Sequence, residues 1–113
     1  MNSIIENILT RRSIRTFRGA QISEEDLNTI LTAGSYAPNG MGAQSWKFTV
    51  IQKTSVLAKV NEAIRLTLIS IPVVAETHPY VVSLVEKAKD ESSNFLYHAP
   101  TLIIVSNLKD NGN

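Results

Sequence analysis

Cysteine is absent from the 113 residues, which excludes disulfides, zinc–thiolate centres, iron–sulfur clusters and a thiol nucleophile. That composition fits a cytoplasmic protein, and the cytoplasm is the expected location. An excess of one charge sign is missing too. Eleven Lys and Arg against ten Asp and Glu leave a net charge of +1, so no global field argues for nucleic acid or an anionic membrane. Nor is there a long hydrophobic run. The longest apolar stretch, Leu66 to Ala75, contains Thr67, Ser70 and Pro72 and falls well short of the ~20 residues that cross a bilayer. Glu6, Arg11 and Arg12 break up the first apolar residues before a secretory signal can form. Internal repeats and low-complexity segments are also lacking. Neither a nucleic-acid nor a membrane partner is expected.

What is present reads as an ordinary globular composition, 43% apolar and 19% charged, with room for one domain and one modest core. Ser3-Ile4-Ile5-Glu6 has the capping-box spacing, and Ile4, Ile5, Ile8 and Leu9 form an apolar stripe on a short first helix. A second helix is predicted from Ser23, with Asp26 as a weaker cap partner and Ile22 and Leu27 as a hydrophobic staple. Its buried face is Leu27, Ile30, Leu31 and Gly34, and Pro38 lies past its end. Residues 37–45 are a loop by composition, and Trp46–Ile51 reads as a strand. A helix from about Ser55 to Leu68 follows, with Leu57, Val60, Ile64 and Leu68 on one side. Tyr80 to Leu96 reads as helical through Leu84 and Ala88. Thr101–Ser106 is a continuous apolar strand, the pattern of a strand covered on both faces. Helices and strands interleave, so the class is α+β or α/β. Two firm strands make a thin sheet, which points to a missing remainder or an obligate partner.

Four arginines, Arg11, Arg12, Arg15 and Arg18, fall within eight residues that contain no acid. Arginine offers a fixed fork of donors suited to phosphate oxygens, and the Ser13 hydroxyl adds another contact. In an extended segment residues 11, 13 and 15 would share one face and could converge on one dianion. The rival reading is an exposed basic helix end, where cations complement the helix dipole. In the loop, glycines permit close backbone approach to a flat ligand, and Asn39 and Gln44 bring amides able to pair with a heterocycle's edge. Its rival is a surface turn entering a strand, with Trp46 as a core anchor. His78 and His98 lie twenty residues apart, a separation that fits no metal-ligand spacing. Structural roles are expected for both, and no metal. Glu24-Glu25-Asp26 is a helix first turn suited to the dipole rather than a catalytic carboxylate pair. No side chain is assigned a directly catalytic role.

Arg11-Arg12-Ser13-Ile14-Arg15-Thr16-Phe17, then a helix, then the run Ala37-Pro38-Asn39-Gly40-Met41-Gly42-Ala43-Gln44-Ser45-Trp46-Lys47-Phe48, together resemble the N-terminal half of the nitroreductase family. Asn94 to Val105 is similar to that family's entry into a central strand. The resemblance covers essentially the whole chain and is least distinctive over residues 62–90. It implies an α+β nitroreductase-like fold, here truncated to its N-terminal half as a single incomplete domain of residues 1–113. It also implies bound FMN, NAD(P)H as electron donor, a small-molecule acceptor and a homodimer with flavin at the interface. By position, Arg11, Ser13 and Arg15 would bind the phosphate, ribityl chain and pyrimidine side of the flavin, with Arg12 a lesser member. Pro38, Asn39 and Gly40 would lie against the flavin held mainly by the other subunit, with Gly42 and Gln44 in the same loop and Met41 facing the substrate. Asn61 is a further ring-edge candidate. Several positions depart from the pattern. Asn39 stands where many relatives have serine, Gly42 where asparagine is common, and Ser45 in place of a frequent proline. The chain also stops where relatives continue with more sheet and further phosphate contacts.

The expected function is FMN-dependent oxidation of NAD(P)H with reduction of a nitroaromatic, quinone or similar acceptor. The alternatives are a non-catalytic, dimerising remnant that does not hold FMN stably, and a nucleic-acid or phosphoprotein module built on the arginine cluster.

Overall fold

The computed structural model describes residues 2–37 and 46–107. Four helices and two strands follow in the order α1 (Ser3–Thr10), α2 (Glu24–Ser35), β1 (Trp46–Ile51), α3 (Thr54–Ile69), α4 (Pro79–Ala88) and β2 (Leu102–Asn107). The class is α+β, with the two strands antiparallel. Trp46 pairs with Asn107 at one end of the ladder and Ile51 with Leu102 at the other. Both strands are rich in β-branched and aromatic residues, which suit a pleated surface. The second strand begins one residue later than predicted, at Leu102. Its bounds follow its partner, because β1 ends at Ile51 and leaves Thr101 without a ladder position.

The helix ends obey local chemistry, with two corrections. The cap of α1 is Asn2 rather than Ser3. Asn2 is extended, and its side-chain oxygen accepts from the Ile5 N–H at 2.9 Å, so Ser3 becomes the first helical residue. Ser23 caps α2 as predicted, accepting from the Asp26 N–H at 3.0 Å. Helix α4 stops at Ala88, well short of Leu96. Beyond it, polar side chains capture the backbone and outcompete helix propagation. Asp90 accepts from the Ser92 N–H and hydroxyl at 2.9 and 2.7 Å. Asn94 accepts from the N–H groups of Leu96 and His98, both at 3.0 Å. The chain turns there through Tyr97 and His98, both with φ of 55°. These hydroxyl and amide bonds hold it in a left-handed conformation that neither residue prefers.

Helix α3 packs against α4, and the buried apolar residues of the described structure, Val85 and Ala88, lie on α4. Arg65 of α3 is buried with them. Its guanidinium donates to the Ala88 carbonyl at 3.2 Å and forks onto Glu62 at 3.0 and 2.7 Å. It therefore places a cation at the negative end of α4 while keeping an anionic partner on its own helix. Hydrogen bonding to Arg65 pulls the Glu62 carboxyl below its ordinary pKa and raises that of Arg65. Asn61, one residue earlier, binds the α4–β2 connection. Its amide donates to the Ser93 carbonyl at 2.9 Å and accepts from the Phe95 N–H at 2.7 Å.

Helix α2 lies against β1 at Gly34, where an added Cβ would sit 3.2 Å from Cζ of Phe48. Leu27, Leu31 and Gly34, on one side of α2, are half-buried. Ile30 is 51% exposed, contrary to the predicted face, because the half-buried residues follow the narrow 27–31–34 row and leave Ile30 on its flank. The predicted double-sided cover of β2 is not provided within this chain, since Ile104 and Val105 are exposed. Every residue from 2 to 26 is exposed as well. The radius of gyration, 17.6 Å, exceeds the about 13 Å of a compact chain this long. Large apolar side chains on α1, α2 and β2 thus face outward. Among the described residues, no helix is long and apolar enough to cross a membrane.

Replacing Asn61 by Ala leaves the Ser93 carbonyl and the Phe95 N–H without their partner. A loss of about 2–3 kcal/mol is expected, measured by urea unfolding followed by far-UV circular dichroism. For Glu62 the folded pKa is depressed, so its stabilising effect is present above the unfolded value and is lost as pH falls through the folded one. Melting temperature should therefore decline as pH drops below about 4.3, the unperturbed glutamate value. Glu62→Gln should melt lower at neutral pH and lose part of that acid sensitivity.

Candidate functional site

The arginine segment leaves α1 where the helix ends. Arg11, the C-terminal cap, has φ −55° and ψ 138°, an extended conformation that carries the chain out of the helix. Residues 11–18 adopt no regular secondary structure and all are exposed. Arg12 turns back. Its guanidinium donates to the carbonyls of Leu9 at 3.3 Å and Arg11 at 2.9 Å, so it satisfies carbonyls left open at the helix C-terminus. In Arg12 the basic-helix-end reading and the anion-site reading meet, because its donors are already partly engaged.

The other members are different. Among the described residues, no side-chain hydrogen bond or ion pair engages Arg11, Ser13 or Arg15; the ion pairs found there are Arg65–Glu62 and Lys89–Glu86. Three neighbouring groups thus present two guanidinium forks and a hydroxyl to solvent with no competing acid. That donor set suits a phosphate dianion, because charge-assisted bonds from arginine can be made two at a time.

This basic arm is tied to the body at one place. The Gln21 amide donates to the Pro100 carbonyl at 2.8 Å, and its carbonyl oxygen accepts from the Thr101 hydroxyl. The Thr101 hydroxyl in turn accepts from the Gln52 amide at 3.0 Å. The three side chains meet at the Ile51–Leu102 end of the ladder, beside an open cleft of 760 Å³ lined by Gly19, Gln21, Gln52, Leu57, His98 and Pro100. Nothing in the local sequence announces this cluster, since Gln21 and Thr101 are eighty positions apart.

The other candidate segment enters at the opposite end of the sheet. Helix α2 ends at Ser35, Tyr36 caps it, and β1 starts at Trp46, which pairs with Asn107. Pro38, Asn39, Gly40, Met41, Gly42 and Gln44 lie outside the described residues. The two ends of the ladder are about 17 Å apart by strand rise. The arm's anchor and the loop's exit therefore do not share one corner of the fold.

Asn61, a ring-edge candidate from sequence, has its amide committed to Ser93 and Phe95. His78 caps α4, its Nδ1 accepting from the Tyr80 N–H at 3.1 Å. His98 lies in the left-handed turn held by Asn94. His78 thus has the structural role expected of it.

The model of the nitroreductase family matches residues 8–113. A relative from Archaeoglobus fulgidus, named "Putative NADH dehydrogenase/NAD(P)H nitroreductase", is 41% identical over 63 residues, covering 56% of this chain and 36% of that protein. A nitroreductase with bound FMN from Bacteroides fragilis superposes with a TM-score of 0.81 at 39% identity, covering 95% of this chain and 53% of its own. An FMN-dependent nitroreductase from Clostridium difficile gives a TM-score of 0.72 at 29% identity, with coverages of 94% and 45%. The chain thus spans about half the length of these solved relatives, and its aligned part about a third of the archaeal one.

Proposed function

Because the chain belongs to the nitroreductase family, we propose that it forms part of an FMN-dependent oxidoreductase that takes electrons from NAD(P)H and passes them to nitroaromatics, quinones or similar acceptors. The observation that carries this reading is the exposed arm of Arg11, Ser13 and Arg15, whose side-chain donors have no protein partner among the described residues. Likeness over 95% of the chain to a nitroreductase with bound FMN supports it. The donor name carried by the archaeal relative supports NAD(P)H.

Bound FMN would supply the transfer of electrons between donor and acceptor. The chain's own residues bind and orient. Arg11 and Ser13 would hold the phosphate and ribityl side through charge-assisted and hydroxyl hydrogen bonds. Arg15 would place a fixed cation near the pyrimidine edge, where negative charge accumulates on reduction. Arg12, partly engaged at the end of α1, would contribute mainly long-range charge. Pro38, Asn39, Gly40, Gly42 and Gln44 would approach the flavin bound by a second copy of the chain, with Met41 on the substrate side. Residues 1–113 would act as one unit of such a homodimer, in the cytoplasm. The open packing, with a radius of gyration of 17.6 Å, favours a second reading, in which these residues dimerise without holding FMN.

The purified chain should develop flavin absorbance and quench flavin fluorescence on titration with FMN. Absence of both at saturating FMN would leave the second reading standing. Arg11→Ala should weaken FMN binding by roughly 10- to 100-fold, the effect of losing a charge-assisted bond to phosphate. Arg15→Ala should lower the midpoint potential of the bound flavin, measured by dye-coupled reductive titration, while Arg15→Lys should recover part of the shift.

A further inference from the structure

We propose that Gln21 is the positioning residue of the basic arm: its bonds to Pro100 and Thr101 fix where the Arg11–Arg15 donors stand relative to the sheet. The proposal rests on the flavin reading for its functional consequence, but the anchoring itself does not.

No residue from 2 to 26 is buried, and the most covered large apolar side chains there, Ile22, Ile5 and Phe17, still expose 37%, 44% and 45% of their surface. Among the described residues, the bonds of Gln21 to Pro100 and Thr101 are the only hydrogen bonds joining residues 2–22 to the rest of the chain. The side chain makes three bonds. Its amide donates to the Pro100 carbonyl, and its oxygen accepts from the Thr101 hydroxyl and from the Ile22 N–H at 3.0 Å. Pro100 and Thr101 immediately precede β2, and Gln52 immediately follows β1. The anchor is therefore attached to the end of the ladder rather than to a loose loop. Gln52 also fixes the Thr101 hydroxyl as an acceptor, so the hydroxyl's own proton points to Gln21. A short segment without regular secondary structure, bent at Gly19–Ala20, connects this point to Arg15. Six residues of extended chain reach no more than about 20 Å. The anchor thus limits the volume the guanidinium groups can search, and phosphate binding gains from that restriction.

The test uses the whole chain and two readouts, one independent of flavin. Trypsin can cut after Arg11, Arg12, Arg15 and Arg18. Gln21→Ala and Thr101→Val should each accelerate cleavage at these sites by about ten-fold, the effect of losing one to two net hydrogen bonds on a local opening equilibrium. Cleavage at Lys59, Arg65 and Lys87 should not change, and Thr101→Ser, which keeps the hydroxyl, should behave like the unsubstituted chain. In FMN titrations Gln21→Ala should weaken binding about ten-fold. In an Arg11→Ala background its effect should be smaller, because part of what Gln21 positions is already gone and the two losses are not additive. Unchanged arm cleavage in Gln21→Ala would overturn the proposal. So would equal acceleration at arm and body sites, or full additivity with Arg11→Ala. Accelerated arm cleavage in a chain that binds no FMN would uphold the anchoring and overturn the flavin reading alone.

Discussion

Antiparallel pairing of β1 with β2 is the constraint on which the rest of the structure depends. It joins residues 46–51 to residues 102–107 across a connection of about fifty residues. Closing such a loop costs roughly 3–4 kcal/mol in chain entropy, and α3 and α4 shorten it by packing on each other. The pairing also provides a surface for α2 at Phe48 and fixes Pro100 and Thr101 as attachment points for the N-terminal arm. Without the ladder, neither the α2–β1 contact nor the arm's anchor would have a defined partner.

Around that ladder the packing is uneven. The α3–α4 pair holds the buried residues Val85, Ala88 and Arg65, with the Arg65 guanidinium bonded to the Ala88 carbonyl. The basic arm, the outer face of α2 and the outer half of β2 carry exposed apolar residues instead. Ile4, Ile8, Leu9, Ile30 and Val105 are each at least half exposed. Exposure on this scale marks surfaces meant to be covered. The same openness leaves Arg11, Ser13 and Arg15 accessible, so the features that make the chain loosely packed also make its donor cluster available to a ligand.

Much of this was legible in local sequence. Ser23 with Asp26 marked the start of α2, and the run from Trp46 marked β1 to the residue. The Arg11–Phe17 and Ala37–Phe48 stretches together pointed to the nitroreductase family, which the family match confirms. Local patterns failed where side chains compete for the backbone. The apolar spacing of Tyr80 to Leu96 suggested one long helix, but Asp90, Asn94 and the distant Asn61 redirect the chain after Ala88. The apolar run of β2 suggested burial on both faces. Hydrophobicity reports a preference for cover and not whether the same chain provides it.

The sequence by itself determined the helix and strand types, the placement of four arginines without an acid among them, and the family. These depend on neighbours a few residues apart, where capping, periodicity and charge spacing operate. Only the tertiary structure decided that no distant acid or carbonyl engages Arg11, Ser13 and Arg15 among the described residues. It alone brought Gln21 to Thr101, and it alone spent Asn61 on the α4–β2 connection. Those outcomes depend on hydrogen bonds between residues up to eighty positions apart, and a directional bond of that kind leaves no periodic trace in the chain.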